Sequence, residues 1–182
     1  MNPQLRASAA HVFVADVSAP ELSPDDLHHL QKVLRLRDGE HVSCSDGKGQ
    51  WRMCTWASGS LDVFGDIISE ALPAPLLRVV VAPVKGDRTD LVVEKLVEIG
   101  VDNISILAPV ERSVVRWAQD KTSHVMDRYQ RIARAAAMQS RRVFLPEVVG
   151  PVSLGDVGTS GVAFAEPDGS AGWDNVTTVV IG

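Results

Sequence analysis

Cysteine is nearly absent from this chain, two residues in 182. Cys44 and Cys54 stand ten apart with no second pair and no histidine cluster near them, which argues against the usual zinc frameworks. A disulfide has little more to recommend it in a chain without secretory features. Both residues are expected to be small apolar members of strands, and no metal site is expected. Long hydrophobic runs are also lacking: no stretch is long enough to span a bilayer, and the opening Met1-Asn2-Pro3-Gln4-Leu5-Arg6 has no signal-type apolar core. A cytoplasmic protein with no membrane partner is the expectation. The glycines form no nucleotide fingerprint. Asp46-Gly47-Lys48-Gly49 lacks the spacing and the Ser/Thr of a phosphate loop, and Gly158-Thr159-Ser160-Gly161 lacks the spacing of a serine nucleophile elbow. NTPase and serine-hydrolase readings, and a generic nucleotide-binding fold with them, are left without support.

What the chain does have is enough apolar material, 45% of its residues, to bury a sizeable core in one large or two small domains. Its net charge of −5 conceals a strong asymmetry. Between Val110 and Arg142 eight basic residues (Arg112, Arg116, Lys121, Arg128, Arg131, Arg134, Arg141, Arg142) face three acidic ones (Glu111, Asp120, Asp127), a local excess of five positive charges. Local field, not total charge, steers a polyanion. The plain alternative is a solvated helix face.

Hydrophobic periodicity divides the chain. Four short β-like runs, at 11–14, 41–45, 50–56 and 60–64, are separated by the turn signals Asp38-Gly39, Asp46-Gly47-Lys48-Gly49 and Ser58-Gly59, the pattern of a small β-barrel. A short helix lies between the first two, over Ser23 to Leu34, with Ser23 as N-cap and Pro24 at the first helical position. Ala71-Leu72-Pro73-Ala74-Pro75 reads as a stiff linker. Beyond it, strands at 77–82, 101–107, 161–165 and 177–181 alternate with helices over Thr89–Ile99 and Ser123–Ser140, which indicates a parallel sheet. The expected fold is α/β with a small N-terminal β-barrel, in two domains, 1–72 and 76–182. The last apolar strand, Thr177 to Ile181, has nothing after it to cover it. Exposed apolar surface or an unpaired edge is expected there.

The richest stretch is 131–146, a cationic amphipathic helix carrying Gln139-Ser140-Arg141-Arg142 at its tip and running into a short strand stopped by Pro146. Guanidinium and amide groups at such a junction suit a phosphate-bearing partner. Together with Lys85-Gly86-Asp87-Arg88, Lys95-Leu96-Val97-Glu98-Ile99-Gly100-Val101 and Glu111-Arg112-Ser113, all in order, this stretch resembles the RsmE family. Those are bacterial methyltransferases acting on N3 of a uridine in 16S ribosomal RNA. The family pattern has an acidic residue near 135 and a small one near 141, where this chain has Ala135 and Arg141.

The resemblance implies a barrel of PUA type followed by a SPOUT methyltransferase domain with its trefoil knot, working as a homodimer on 16S rRNA of the small ribosomal subunit. S-adenosyl-L-methionine is the implied cofactor. It further implies a Pro-Glu-Gly-Gly loop starting at Gly182, then another strand and helix. By that reading the domain is incomplete at its C-terminal end, the 182 residues hold the cofactor weakly or not at all, and a non-catalytic RNA-binding module is the rival reading.

Methylating uracil N3 needs removal of an imide proton and fixed positive groups near the two carbonyls. Lys85 and Arg112, each just after a strand, are placed at the carboxyl ends where open parallel sheets bind ligands. With Gln139 they are the catalytic candidates, and the sequence designates no general base. The resemblance implicates the loops at Ala165-Glu166 and Ile181-Gly182 in cofactor binding. Arg35 and Arg37 alternate with Leu34 and Leu36 and share a face if that segment is extended. With Arg131 and Arg142 they are the candidates for RNA phosphates.

Overall fold

The computed structural model describes residues 2–109, 115, 121–169 and 172–182. Contacts within the chain separate it into two compact units, Met1–Leu72 with Ala137–Leu145, and Pro73–Ala136 with Pro146–Gly182.

The first unit begins with α1 (Pro3–Ala7), started by the Asn2 side chain accepting from the Gln4 N–H, and β1 (Ala10–Phe13). Ser23 caps α2 (Pro24–His28): its hydroxyl oxygen accepts from the Asp26 N–H at 3.1 Å and its proton goes to the Asp26 carboxylate at 2.6 Å. The helix continues as a π turn, His29–Val33. Next come β2 (His41–Ser45), β3 (Gln50–Ala57), β4 (Ser60–Val63) and β5 (Ile68–Ser69). The sheet runs β1-β2-β3-β4 with β5 also on β3, and only β1 and β2 are parallel. Because side chains alternate across a strand, β3 serves two cores. Cys54 and Trp56 join Val12, Leu30, Val42, Cys44 and Leu61 on one face, while Trp51 and Met53 join Leu5 on the other.

Both cores are completed from far along the chain, by Met138 in the first and by Val143 and Phe144 in the second. Residues 137–145, placed in the second domain by the sequence, therefore pack with the first unit. The short strand expected before Pro146 is a single bridge between Phe144 and Lys48. The bridge is made by the Gly49 N–H donating to the Val143 carbonyl at 3.2 Å and the Leu145 N–H to the Gly47 carbonyl at 2.9 Å, and the Val143 carbonyl also accepts from the Ser45 hydroxyl at 2.8 Å.

The second unit holds β6 (Arg78–Val81), α3 (Arg88–Glu98), β7 (Asn103–Leu107), α4 (Thr122–Gln139, its last three residues counting with the first unit), β8 (Glu147–Val152), a 3-10 turn at Leu154–Val157, β9 (Val162–Phe164) and β10 (Thr178–Ile181). Every pair in the order β8-β7-β6-β10-β9 is parallel. One face sets Val80 and Val180, flanked by Leu107 and Val162, against Val157 of the 3-10 turn. On the other face Val79, Val81, Ile104 and Ile106 are buried, as are Val93, Leu96 and Val97 of α3 and Met126, Tyr129 and Ala133 of α4. Spacings of three and four give these helices their apolar stripes.

Half of one expectation, the unpaired edge, is overturned. The final strand, β10, has no unpaired edge, because it lies between β6 and β9 and pairs with both. The chain builds outward through β7 and β8, then returns to the other side of β6. Apolar exposure at β10 is greatest at its end, where Ile181 is 38% exposed, and Val179 is partly buried.

Candidate functional site

That return makes a topological switch between β6 and β10, and open parallel sheets bind ligands outside the carboxyl ends of strands at such a point. Three segments of the second unit emerge there. The loop after β6 is tied to the end of β10 by the Ala82 N–H donating to the Ile181 carbonyl at 2.9 Å. Its other end is pinned by buried Thr89, whose hydroxyl oxygen accepts from the Val84 N–H at 3.0 Å and donates to the Val84 carbonyl at 3.3 Å. Between these anchors Lys85 is exposed. Beneath them burial pushes the Tyr129 phenol up, against a hydrogen bond to Thr89 that lowers it.

The third segment follows β9, where the Ala165 N–H donates to the Val180 carbonyl at 2.8 Å. Beside it is a cavity of about 510 Å³ with Ala163 and Val179 from the sheet and Phe164, Ala165, Glu166, Pro167 and Trp173 from the strand end and loop. At the opposite, amino end of β9 the Gly161 carbonyl accepts from the Thr177 and Thr178 N–H groups at 2.9 Å each, which fixes the start of β10 against β9. Gly161 has a φ of +66°, and a Cβ there would come within 2.9 Å of the Thr177 hydroxyl. The walls are mostly apolar, with one carboxylate and main-chain groups at the rim. That mixture suits a ligand with a flat apolar part and a few polar groups.

Of the residues singled out by sequence, Ala165 and Glu166 line this cavity. Ile181 and Gly182 stand at the carboxyl end of the adjacent strand and do not line it. Phe164 and Trp173, 57% and 71% exposed, were not singled out. An isolated tryptophan in a Gly- and Ser-containing loop was the signal available. Arg112 lies outside the described residues.

Gln139 and Arg142 count with the first unit. Gln139 ends α4 with its side chain exposed. Arg142 is half-buried; its N–H donates to the Ala137 carbonyl at 2.9 Å, and its own carbonyl accepts from Nε2 of buried His11 at 3.0 Å. A carbonyl only accepts, so that ring nitrogen carries a proton. The other, Nδ1, lies 2.8 Å from the Ser43 hydroxyl. Arg131 is exposed on α4, its Nε directed at the Asp127 carbonyl at 3.4 Å. Arg35 and Arg37 are both exposed, but the segment that carries them is not a strand: Arg35 has a φ of +54° and Leu36 donates back to the Leu30 carbonyl. Among the described residues no group of three or more His, Cys, Asp or Glu side chains is placed to hold a metal ion, and no helix is long and apolar enough to cross a membrane.

Residues 72–163, just over half the chain, match the family described as RNA methyltransferase domain, and residues 22–57 match RNA methyltransferase PUA domain. Ribosomal RNA small subunit methyltransferase E of Synechocystis is 33% identical over 139 residues, covering 74% of this chain and 44% of that protein. The Bacillus subtilis protein of the same name is 28% identical over 134 residues, covering 70% of this chain and 52% of its own length. The chain thus spans about half the length of the curated relatives it matches. Among solved structures, ribosomal RNA small subunit methyltransferase E from Neisseria gonorrhoeae bound to S-adenosyl methionine superposes with a TM-score of 0.72 at 20% identity, over 95% of this chain and 79% of that one. The shared fold is a PUA-like domain with a SPOUT methyltransferase domain.

Proposed function

The chain belongs to the family of RNA methyltransferase domains, and from that premise we propose that it acts in S-adenosylmethionine-dependent methylation of N3 of a uridine in 16S rRNA of the small ribosomal subunit. The first unit serves as the RNA-binding module and the second as the methyltransferase domain. The observation that carries this reading is the cavity of about 510 Å³ where β9 runs into the loop that follows it, beside Val179 of β10 and in the same unit as the loop that holds Lys85. Its size falls in the range of about 300–1,000 Å³ for small-molecule sites.

The cofactor supplies a methyl group already activated on a sulfonium, so the protein's task is mainly orientation and charge. Phe164 and Trp173 offer faces for a flat purine, and Glu166 and the carbonyls at the rim offer acceptors for its hydroxyl and ammonium groups. Ile181 and Gly182, at the carboxyl end of the adjacent strand, are proposed to take part in holding the cofactor. As the N3 proton leaves, negative charge spreads over the uracil carbonyls. Lys85, exposed in the loop after β6, is proposed to meet it. Arg112 and Gln139 are proposed to share that role, and Arg35, Arg37, Arg131 and Arg142 to hold RNA phosphates. Action as a homodimer in the cytoplasm belongs to the same proposal.

The cavity reading is tested by titrating S-adenosylmethionine and S-adenosylhomocysteine while following tryptophan emission. Of the four tryptophans Trp51 and Trp56 are buried, Trp173 is exposed and Trp117 lies outside the described residues, so the Trp173 contribution is identified by its loss on substitution. Weak but saturable changes with both compounds, lost in Trp173→Phe, are expected. An equal response to ATP, or none to either compound at millimolar concentration, would overturn the assignment.

A further inference from the structure

The first unit exposes an aromatic pair. Phe64, 55% exposed, and His41, also exposed, have ring centroids 4.9 Å apart at 42°. The sheet brings them together across β3: His41 opens β2 opposite Thr55, and Phe64 follows β4 with its N–H on the Met53 carbonyl at 3.3 Å. Folding leaves both rings in water rather than in either core of the unit.

A cation is set close to these rings, with a second two residues before it in the chain. The Glu40 N–H donates to the Arg37 carbonyl at 3.1 Å, a turn that sets Arg37 beside the residue preceding His41. Neither Arg35 nor Arg37 has a side-chain hydrogen bond or ion pair among the described residues, whereas the neighbouring carboxylates are engaged. Glu40 accepts from the Arg37 backbone N–H. Asp38 accepts from the Ser58 N–H at 2.7 Å and its hydroxyl at 2.8 Å, which hold its carboxyl below the usual range. Asp62, exposed in the same row of the sheet as His41, works against phosphate directly above it and favours a strand running on the Arg37 side.

We propose that Phe64 and His41 form a stacking platform for one unpaired base of the RNA, with Arg35 and Arg37 holding the phosphates beside it. An unpaired base presents a π face that a ring can cover without regard to sequence, and an A-form duplex does not. This inference rests on the RNA-binding role proposed for the first unit and adds which strand state it takes and through which side chains.

The test measures affinity of the full chain for a short fluorescent oligouridylate, for an abasic strand of equal length and for an RNA duplex. Phe64→Ala and Phe64→Leu are expected to weaken oligouridylate binding by about fivefold or more while thermal unfolding confirms the fold. The same substitutions should leave abasic-strand affinity unchanged. Arg35→Glu with Arg37→Glu is expected to weaken both single strands and flatten their salt dependence. Wild-type affinity in Phe64→Ala overturns the platform and leaves RNA binding standing; absence of RNA affinity in the wild type overturns the RNA reading itself. Self-association lost in Phe64→Ala with RNA affinity unchanged also overturns the platform, and assigns the rings to a second copy of the chain.

Discussion

Arg141 is held in a left-handed backbone conformation, φ +55°, which costs a non-glycine residue about 1–3 kcal/mol. Its guanidinium offsets that cost: Nη2 donates to the Ser8 carbonyl at 2.8 Å and approaches that of Ala9 at 3.5 Å, and Nη1 donates to the Gln139 carbonyl at 2.9 Å. These bonds tie residues 137–145 to the start of β1. Arg141→Ala keeps the strain and removes the bonds, and is expected to lower stability by about 1–3 kcal/mol in denaturant unfolding. Arg141→Gly should lose less, since glycine adopts the conformation freely. An alanine variant as stable as the wild type would show the tether to be idle. In the sequence, residue 141 is visible as one cation of the basic stretch and as a departure from the family pattern, and its tether is not, because the Ser8 and Ala9 carbonyls come from the opposite end of the chain. The cysteines were easier to read. Both are fully buried, Sγ to Sγ 3.6 Å, and the hydrogen bond to Cys54 together with burial pushes the Cys44 thiol up.

Elements whose start signals are local were legible in the sequence. Ser23-Pro24 starts α2, and the alternation in 41–45 and 50–56 gives β2 and most of β3. The strand β8 was missed because Gly150-Pro151 reads as a breaker; as an edge strand it tolerates a residue with no N–H. The 3-10 turn at Leu154–Val157 was missed as well, being too short for any periodicity. It is held by a capping box: the Asp156 carboxylate accepts from the Ser153 N–H at 2.9 Å and its hydroxyl at 2.7 Å. Those bonds depress the Asp156 carboxyl. A depressed carboxyl contributes stability above its unfolded value of about 4 and loses it as pH falls through the folded one. Val157, which the turn presses against Val80 and Val180, is therefore expected to show a methyl NMR transition on acidification that is absent in Asp156→Asn. The same transition in the variant would assign it to another group.

At the scale of the whole molecule, the proline-rich break near residue 73 was legible, and the return of 137–145 to the first unit was not, since no local pattern encodes a partner so distant. The cationic stretch likewise means less than its count. Arg128 pairs with Asp90 and Arg141 is spent on carbonyls, so the field left for RNA comes from fewer side chains than the sequence offers. The cavity was half legible, through Ala165 and Glu166, while its aromatic walls depend on how the loop folds back on β9 and β10. The central claim is methyl transfer to uridine N3. Its most direct test incubates the protein with small ribosomal subunits lacking the modification and methyl-labelled S-adenosylmethionine, then digests the RNA to nucleosides. Label in N3-methyluridine of 16S rRNA, reduced at least tenfold in Lys85→Ala, is the expected result. Label in another nucleoside, or none from a preparation that binds both cofactor and RNA, would contradict it.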